Sequence, residues 1–272
     1  LRFAPLGAID PRVVPSQRVE VRATDGTKHL GVIGVLPPHV TRPEERNRVF
    51  DFSELFIDLG CASAHEVTQL GIRRGSPAVP HAPLTELAGG CVTAKALDDR
   101  TGCALLIALL EAFRETPPPV NLVASFSMEE ETGGLGAQAT TNATRPDVAF
   151  ALENTTATDT PGVPTHRVVT SLRQGMALTL ADARTIVPEK ITRFVEEQAQ
   201  AAGLPLQIKL PGVGSTNATR IQSAHAGVLT GILSVPCRYI HSSTSLLCLN
   251  DAETALALLV RLVNQCVHLW AA

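Results

Sequence analysis

Ala96-Leu97-Asp98-Asp99-Arg100-Thr101-Gly102 and, about thirty residues on, Glu129-Glu130-Glu131-Thr132-Gly133-Gly134-Leu135-Gly136 are the two stretches whose reading decides the fold. Each acidic run stands where a strand is expected to end, and each leads into an apolar helix. Carboxylates clustered at such positions are costly unless a cation neutralises them. Ligand crevices of open α/β sheets open at those strand ends, so the first expectation is a divalent-metal site.

The pattern extends outward from these runs. Residues 101–113 predict a strongly apolar helix, closed by Pro117-Pro118-Pro119, and 120–126 a β-branched, buried strand. A helix over 135–143 and a buried strand over 147–152 follow. Two short strands are expected within 168–180, an amphipathic helix over 189–202, strands over 206–210 and 227–235, and a long helix over 252–270. Strands alternating with helices imply an α/β fold, a mixed but largely parallel sheet flanked by helices. The first eighty or so residues read differently. Short β runs at 19–22, 30–36 and 54–59 are separated by turn signals, and one helix over 64–70 is capped by Ser63 ahead of Gly71. The division expected is a small β-rich module, 1–84, followed by an α/β body, 85–272.

Composition excludes several classes. A net charge of -3 offers no basic surface for nucleic acid and no polybasic stretch for a membrane. No apolar run reaches spanning length, and the start carries no signal-peptide pattern. The six cysteines, at 61, 91, 103, 237, 248 and 266, include no C-x-x-C pair. They fit reduced thiols of a cytoplasmic protein better than a disulfide framework or a zinc knuckle.

Further polar residues join the acidic runs at strand ends. Glu153 ends the apolar strand before Asn154-Thr155-Thr156, and His241 follows Pro236-Cys237-Arg238-Tyr239-Ile240. Gly212-Val213-Gly214-Ser215-Thr216-Asn217 reads as a glycine-rich turn after a strand. Oxygen donors with a single imidazole suit a zinc-like or cobalt-like ion, and one Asp can bridge two ions about 3.5–4 Å apart. Each residue also has a plainer reading. Asp98 and Asp99 read equally as helix cap and first-turn acid, the Glu129–Glu131 triplet as a solvated loop, and His241 as an ordinary histidine. Glu153 is harder to explain without a partner, because a buried carboxylate needs one.

Taken together these motifs resemble the tetrahedral, or glutamyl, aminopeptidases, dinuclear-metal exopeptidases some of which carry an endoglucanase label. That family's Gly-Lys-Ala-Phe-Asp-Asp-Arg resembles Ala94-Lys95-Ala96-Leu97-Asp98-Asp99-Arg100, and its Gln-Glu-Glu-Val-Gly-Leu-Arg-Gly-Ala resembles 129–137. Its Pro-x-Arg-Tyr-Ile-His-Ser resembles 236–242. Ala151-Leu152-Glu153 through Asp159-Thr160-Pro161-Gly162 is similar to the segment carrying its second acidic ligand. Ile57-Asp58-Leu59-Gly60 and Gly71-Ile72 resemble its Asp-Leu-Gly and Gly-Ile patterns.

The resemblance implies a role for each residue. Asp98 would bridge two divalent ions, zinc or cobalt; Glu131 and His241 would complete one ion, Glu153 would bind the other, and Glu130 would be the general base that activates water. It further implies N-terminal trimming of short peptides, a module inserted for dimerisation, and assembly into a larger hollow homo-oligomer. Three departures stand out. Glu153 replaces a more usual Asp, and Asn217 stands where a Gly-x-Thr-Asp-Ala pattern places Asp. The family's first ligand, a His in a His-x-Asp motif ahead of the inserted module, has no match, since His29, His39, His65 and His81 lack that spacing. The N-terminal strands of the catalytic domain are therefore expected to be absent from this chain, leaving it at most one tightly bound ion. Two rival readings follow: a non-catalytic assembly subunit of the same fold, and a two-carboxylate glycosidase that needs no metal.

Overall fold

The computed structural model describes residues 1–45, 47–209, 212 and 214–269. Contacts divide the chain into two compact units. One is Leu1–Thr85 with Ala94–Ala96 and His241–Thr244; the other is Glu86–Thr93, Leu97–Ile240 and Ser245–Ala272.

The first unit is built on a four-stranded sheet. Strands β1 (Arg18–Arg22) and β2 (Lys28–Gly34) form a hairpin across an Asp-Gly turn. In that turn Asp25 Oδ1 accepts from the Thr27 backbone N–H at 2.9 Å, and Gly26 takes the positive φ, +92°, that such a turn demands. Strand β3 (Phe56–Asp58), helix α1 (Ala64–Gln69) and strand β4 (Ala78–Pro80) follow, in the order β3-β2-β1-β4, antiparallel throughout. Alternation sends Val19, Val21 and Ile33 into a core with Leu55 and Ile57. Ser63 caps α1 as expected, its Oγ accepting from the Glu66 N–H at 3.2 Å.

The second unit carries β5 (Thr85–Leu87) and β6 (Cys91–Ala94), apart from the end residues Thr85 and Ala94, then α2 (Leu97–Ala112), α3 (Leu135–Thr144), β7 (Val148–Thr156), β8 (Met176–Thr179), α4 (Glu189–Ala202), β9 (Leu206–Lys209), α5 (Ala218–Gln222), β10 (Leu229–Arg238), β11 (Ser245–Cys248) and α6 (Leu249–Gln265). Among the described residues its sheet runs β5-β6-β11-β10-β8-β9, with β7 also on β10. The longest pairing, β7 with β10 from Leu229↔Val148 to Cys237↔Thr156, is parallel, as is β8 with β9; β10 is antiparallel to β8 and β11. This is a mixed α/β sheet flanked by helices. Leu105 and Leu109 of α2, Ile191, Phe194 and Val195 of α4, and Leu258, Leu259 and Leu262 of α6 close over Leu178, Ile232 and Leu233 in one core. Helix α4 covers the residues its apolar period predicts.

Two expectations fail. Residues 120–126 form no ladder among the described residues, and Val123 and Phe126 stay 58% and 50% exposed. β-Branched composition suits a strand, but a strand exists only when a neighbour supplies its hydrogen bonds. Residues 168–175 form no strand either. The Thr170 carbonyl accepts from Thr158 N–H at 3.1 Å and Thr158 Oγ1 accepts from Val169 N–H at 2.8 Å. Left-handed Arg173 (φ 63°) and Gly175 (φ 79°) then turn the chain into β8. The ends of two expected elements, Leu210 and Trp270, lie outside the described residues, as does Val213 of the glycine-rich turn. No helix among the described residues is long and apolar enough to cross a membrane.

Candidate metal centre

Asp98 and Asp99 sit inside the span of α2 but without helical dihedrals, at φ/ψ of -86°/109° and -120°/54°, and the peptide bond between them is cis. The two acids have different surroundings. Asp99 caps the helix, its Oδ1 accepting from the Gly102 N–H at 2.9 Å. Asp98 instead joins a cluster in which one carboxylate oxygen of Asp98, one of Glu131 and one ring nitrogen of His241 all lie within 4.8 Å of one another. The capping and metal readings of this dipeptide are therefore divided between neighbours.

Glu130 and Glu131 are carried by a tightly wound loop. The Gly136 N–H donates to Met128 O at 3.2 Å, Gly134 N–H to Glu129 O at 2.7 Å, and Gly133 N–H to Glu130 O at 3.0 Å. A Cβ on Gly136 would stand 2.5 Å from Met128 O and 2.6 Å from Met128 N, so only glycine lets α3 start this close to the loop. His241 lies in the turn between β10 and β11. Ala96, Glu129, Tyr239 and His241, each in or beside a segment bearing one of these side chains, have positive φ of 55°, 62°, 56° and 61°. A non-glycine residue held left-handed costs about 1–3 kcal/mol, and such residues gather where function over-determines the backbone.

Glu153 lies near the end of β7 and is 7% exposed. Its Oε1 has no hydrogen-bond partner. It is outside the three-residue cluster, so three of the four expected ligands come together and the fourth does not join them. Its surroundings are nevertheless shared with them. Burial first, then the charges of Asp99, Glu130 and Asp98, push its carboxyl well above the usual range, opposed by the Asn217 backbone N–H. Asp99 is raised to about 8 by burial, with Asp98 and Glu130 adding to the shift. Lys209 is lowered by burial, partly offset by the charges of Asp182 and then Glu153. Asn217 donates from Nδ2 to Ser127 Oγ at 3.2 Å, while its buried Oδ1 has no partner.

This donor set fits a divalent cation. Within the cluster two carboxylates stand beside an imidazole, and a positive ion there would relieve their mutual repulsion; the buried Glu153 oxygen, outside the cluster, also lacks a compensating partner. Ligand atoms around a tetrahedral ion with bonds of about 2.0–2.1 Å are about 3.3 Å apart, a spacing that falls inside the 4.8 Å within which the three ligand atoms lie. The capping bond of Asp99 agrees with the helix-cap reading of this dipeptide, while its burial has no local signal beyond the spacing to Gly102, a residue without Cβ three positions on.

A family model described as M42 glutamyl aminopeptidase matches residues 1–258. The chain is 32% identical to the putative aminopeptidase FrvX of Escherichia coli over 259 residues, 95% of this chain and 72% of that protein. Among solved structures it resembles the TET aminopeptidase of a marine-sediment Thaumarchaeota archaeon, with a TM-score of 0.93 and 34% identity over 97% of this chain and 74% of that one. It also resembles the TET1 peptidase of Pyrococcus horikoshii, described as assembling into a tetrahedron or a large octahedral shell, with a TM-score of 0.81 and 29% identity over 96% and 76%.

Proposed function

The chain belongs to the M42 glutamyl aminopeptidase family, and from that premise we propose that it removes N-terminal residues from short peptides at a two-metal centre. The convergence of Asp98, Glu131 and His241 within 4.8 Å carries the reading. These three residues would hold one ion, and Asp98 with Glu153 would hold the second more weakly, with two protein oxygens and no imidazole, zinc or cobalt in each case. Bound there, divalent ions would lower the pKa of water towards neutrality and polarise the scissile carbonyl.

The chain's own groups supply the remaining work. Glu130 immediately precedes the ligand Glu131, and its charge is felt by Asp99 and Glu153. It is the group we assign to take the proton from the attacking water and return it to the leaving amine. Asp99, engaged with the Gly102 N–H, holds the start of α2 so that Asp98 faces the cluster. His241 and Glu131 are exposed, leaving the cluster open to a peptide end. By analogy with the Pyrococcus horikoshii relative, we further propose dimers that build a larger hollow homo-oligomer.

The test is elemental analysis of the purified protein, together with hydrolysis of a panel of aminoacyl anilides before and after chelation. Divalent metal bound at the site, with activity lost on chelation and regained with zinc or cobalt, is the expected result. A protein that cleaves none of the panel with metal present, or cleaves it equally well after chelation, would overturn the proposal.

A further inference from the structure

Strands β7 and β10 each carry or lead to a residue of the proposed centre, and the structure ties their ends together in an unusual way. Their parallel pairing is prolonged by the Ala157 N–H donating to Cys237 O at 2.9 Å. Immediately beyond, the Arg238 guanidinium grips Asp159. Nε donates to Oδ1 at 2.9 Å, Nη2 to Oδ2 at 2.8 Å, and Nη2 also to the Asp159 backbone O at 3.0 Å. Asp159 Oδ2 additionally accepts from the Leu172 N–H at 3.1 Å. A bidentate fork with a third bond to the same residue fixes orientation as well as distance. The hydrogen bonds to Asp159, and to a lesser extent its charge, in turn raise the Arg238 guanidinium above its ordinary range.

Three residues after Arg238 comes His241. The intervening turn is held left-handed at Tyr239 and at His241 itself, with φ of 56° and 61°. Ser245 Oγ donates to Tyr239 O at 3.3 Å on the far side. Left-handed residues persist only where neighbouring contacts over-determine them. Here the fork fixes the residue from which the turn springs. With three of its donor contacts already made to Asp159, the guanidinium is directed at the chain itself.

We infer that Asp159, acting through Arg238, is a positioning residue that holds the imidazole of His241 in place for metal binding. The inference rests on the metal reading given above. The pair is partly solvated, with side chains 25% and 21% exposed, so water can take over its hydrogen bonds when it is broken. The cost then appears at the imidazole rather than in global unfolding.

The experiment measures cobalt binding by metal-stripped protein, by competition with a chromophoric chelator and by the visible cobalt spectrum, alongside the melting temperature without metal. Asp159→Asn keeps the shape and removes the charge, and Arg238→Lys keeps the charge and removes the fork. Each is expected to weaken cobalt binding about 10–100-fold and to change the visible spectrum, while the metal-free melting temperature stays within a few degrees of wild type. Asp159→Glu should recover part of the affinity. His241→Ala should weaken binding at least as much, and Asp159→Asn should weaken it no further in that background, because both changes remove one interaction. Variants that bind cobalt like wild type, effects that add fully in the double variant, or a melting temperature that falls with affinity unchanged would each overturn the inference alone. A wild-type protein that takes up no cobalt would overturn the metal reading along with it.

Discussion

Gly136→Ala sets two physical effects against each other, and the structure decides the sign. On helix propensity alone the change is favourable by about 0.8–1.0 kcal/mol, since alanine is the best helix former and Gly136 is the second residue of α3. The new Cβ, however, would lie 2.5 Å from Met128 O, 2.6 Å from Met128 N and 3.2 Å from Met128 C. Ordinary contact begins near 3.4 Å, so helix and loop must separate by 3.4 − 2.5 = 0.9 Å. The obstacle is backbone and cannot rotate away. Overpacking of this kind costs about 1–3 kcal/mol, and separation also stretches the 3.2 Å bond from Gly136 N–H to Met128 O, worth about 1 kcal/mol. The balance is a net destabilisation of about 1–3 kcal/mol.

The functional loss should be larger. Met128 adjoins the loop carrying Glu130 and Glu131, and metal sites tolerate ligand displacements of only about 0.2 Å. A shift several times that size should weaken metal binding about 10–100-fold. Urea unfolding of metal-free protein gives the first quantity and chelator competition the second. A Gly136→Ala protein as stable as wild type that holds metal equally well would refute the packing argument and the placement of this loop in the site.

Other outcomes follow from the same geometry. Glu130→Gln should keep its metal content and lose about 10²–10⁴-fold in kcat, whereas Glu131→Gln should lose metal; elemental analysis beside steady-state kinetics separates them, and equal metal loss in both would remove the distinction. Asp99 is raised from 3.8 to about 8 and Glu153 also lies well above its ordinary value. Folding thus favours their neutral forms, and their contribution is complete below pH about 4 and lost as pH rises towards 8. The metal-free melting temperature should therefore fall through that window more steeply than in an Asp99→Asn/Glu153→Gln variant, and parallel profiles would count against this account. Asp251 is fully buried, accepting from the Arg173 N–H at 2.7 Å and the Gly175 N–H at 2.8 Å. Asp251→Ala orphans both donors and should cost about 2–4 kcal/mol in urea unfolding, and a loss under about 0.5 kcal/mol would show that water replaces the carboxylate.

Local signals alone determined a good part of this protein. The apolar period of α4, the Ser63 cap of α1 and the Asp25-Gly26 turn are written in neighbouring residues, because caps, turns and amphipathic faces depend on contacts a few positions away. Asp98 and His241 were legible as polar residues close after apolar strands, β6 and β10, whereas the Glu129–Glu131 run was legible only as an acidic cluster, since the strand expected before it does not form among the described residues. Tertiary structure decided what depends on distant partners. Residues 120–126 have strand composition but no ladder among the described residues, and a ladder needs a neighbouring chain segment. Only folded packing divided Asp98 from Asp99, one towards the cluster and the other onto Gly102. Burial and three neighbouring acids, not its place in the sequence, set the charge state of Glu153. The grip of Arg238 on Asp159 joins residues 79 positions apart, and no local pattern encodes it because its geometry exists only once β7 and β10 have paired.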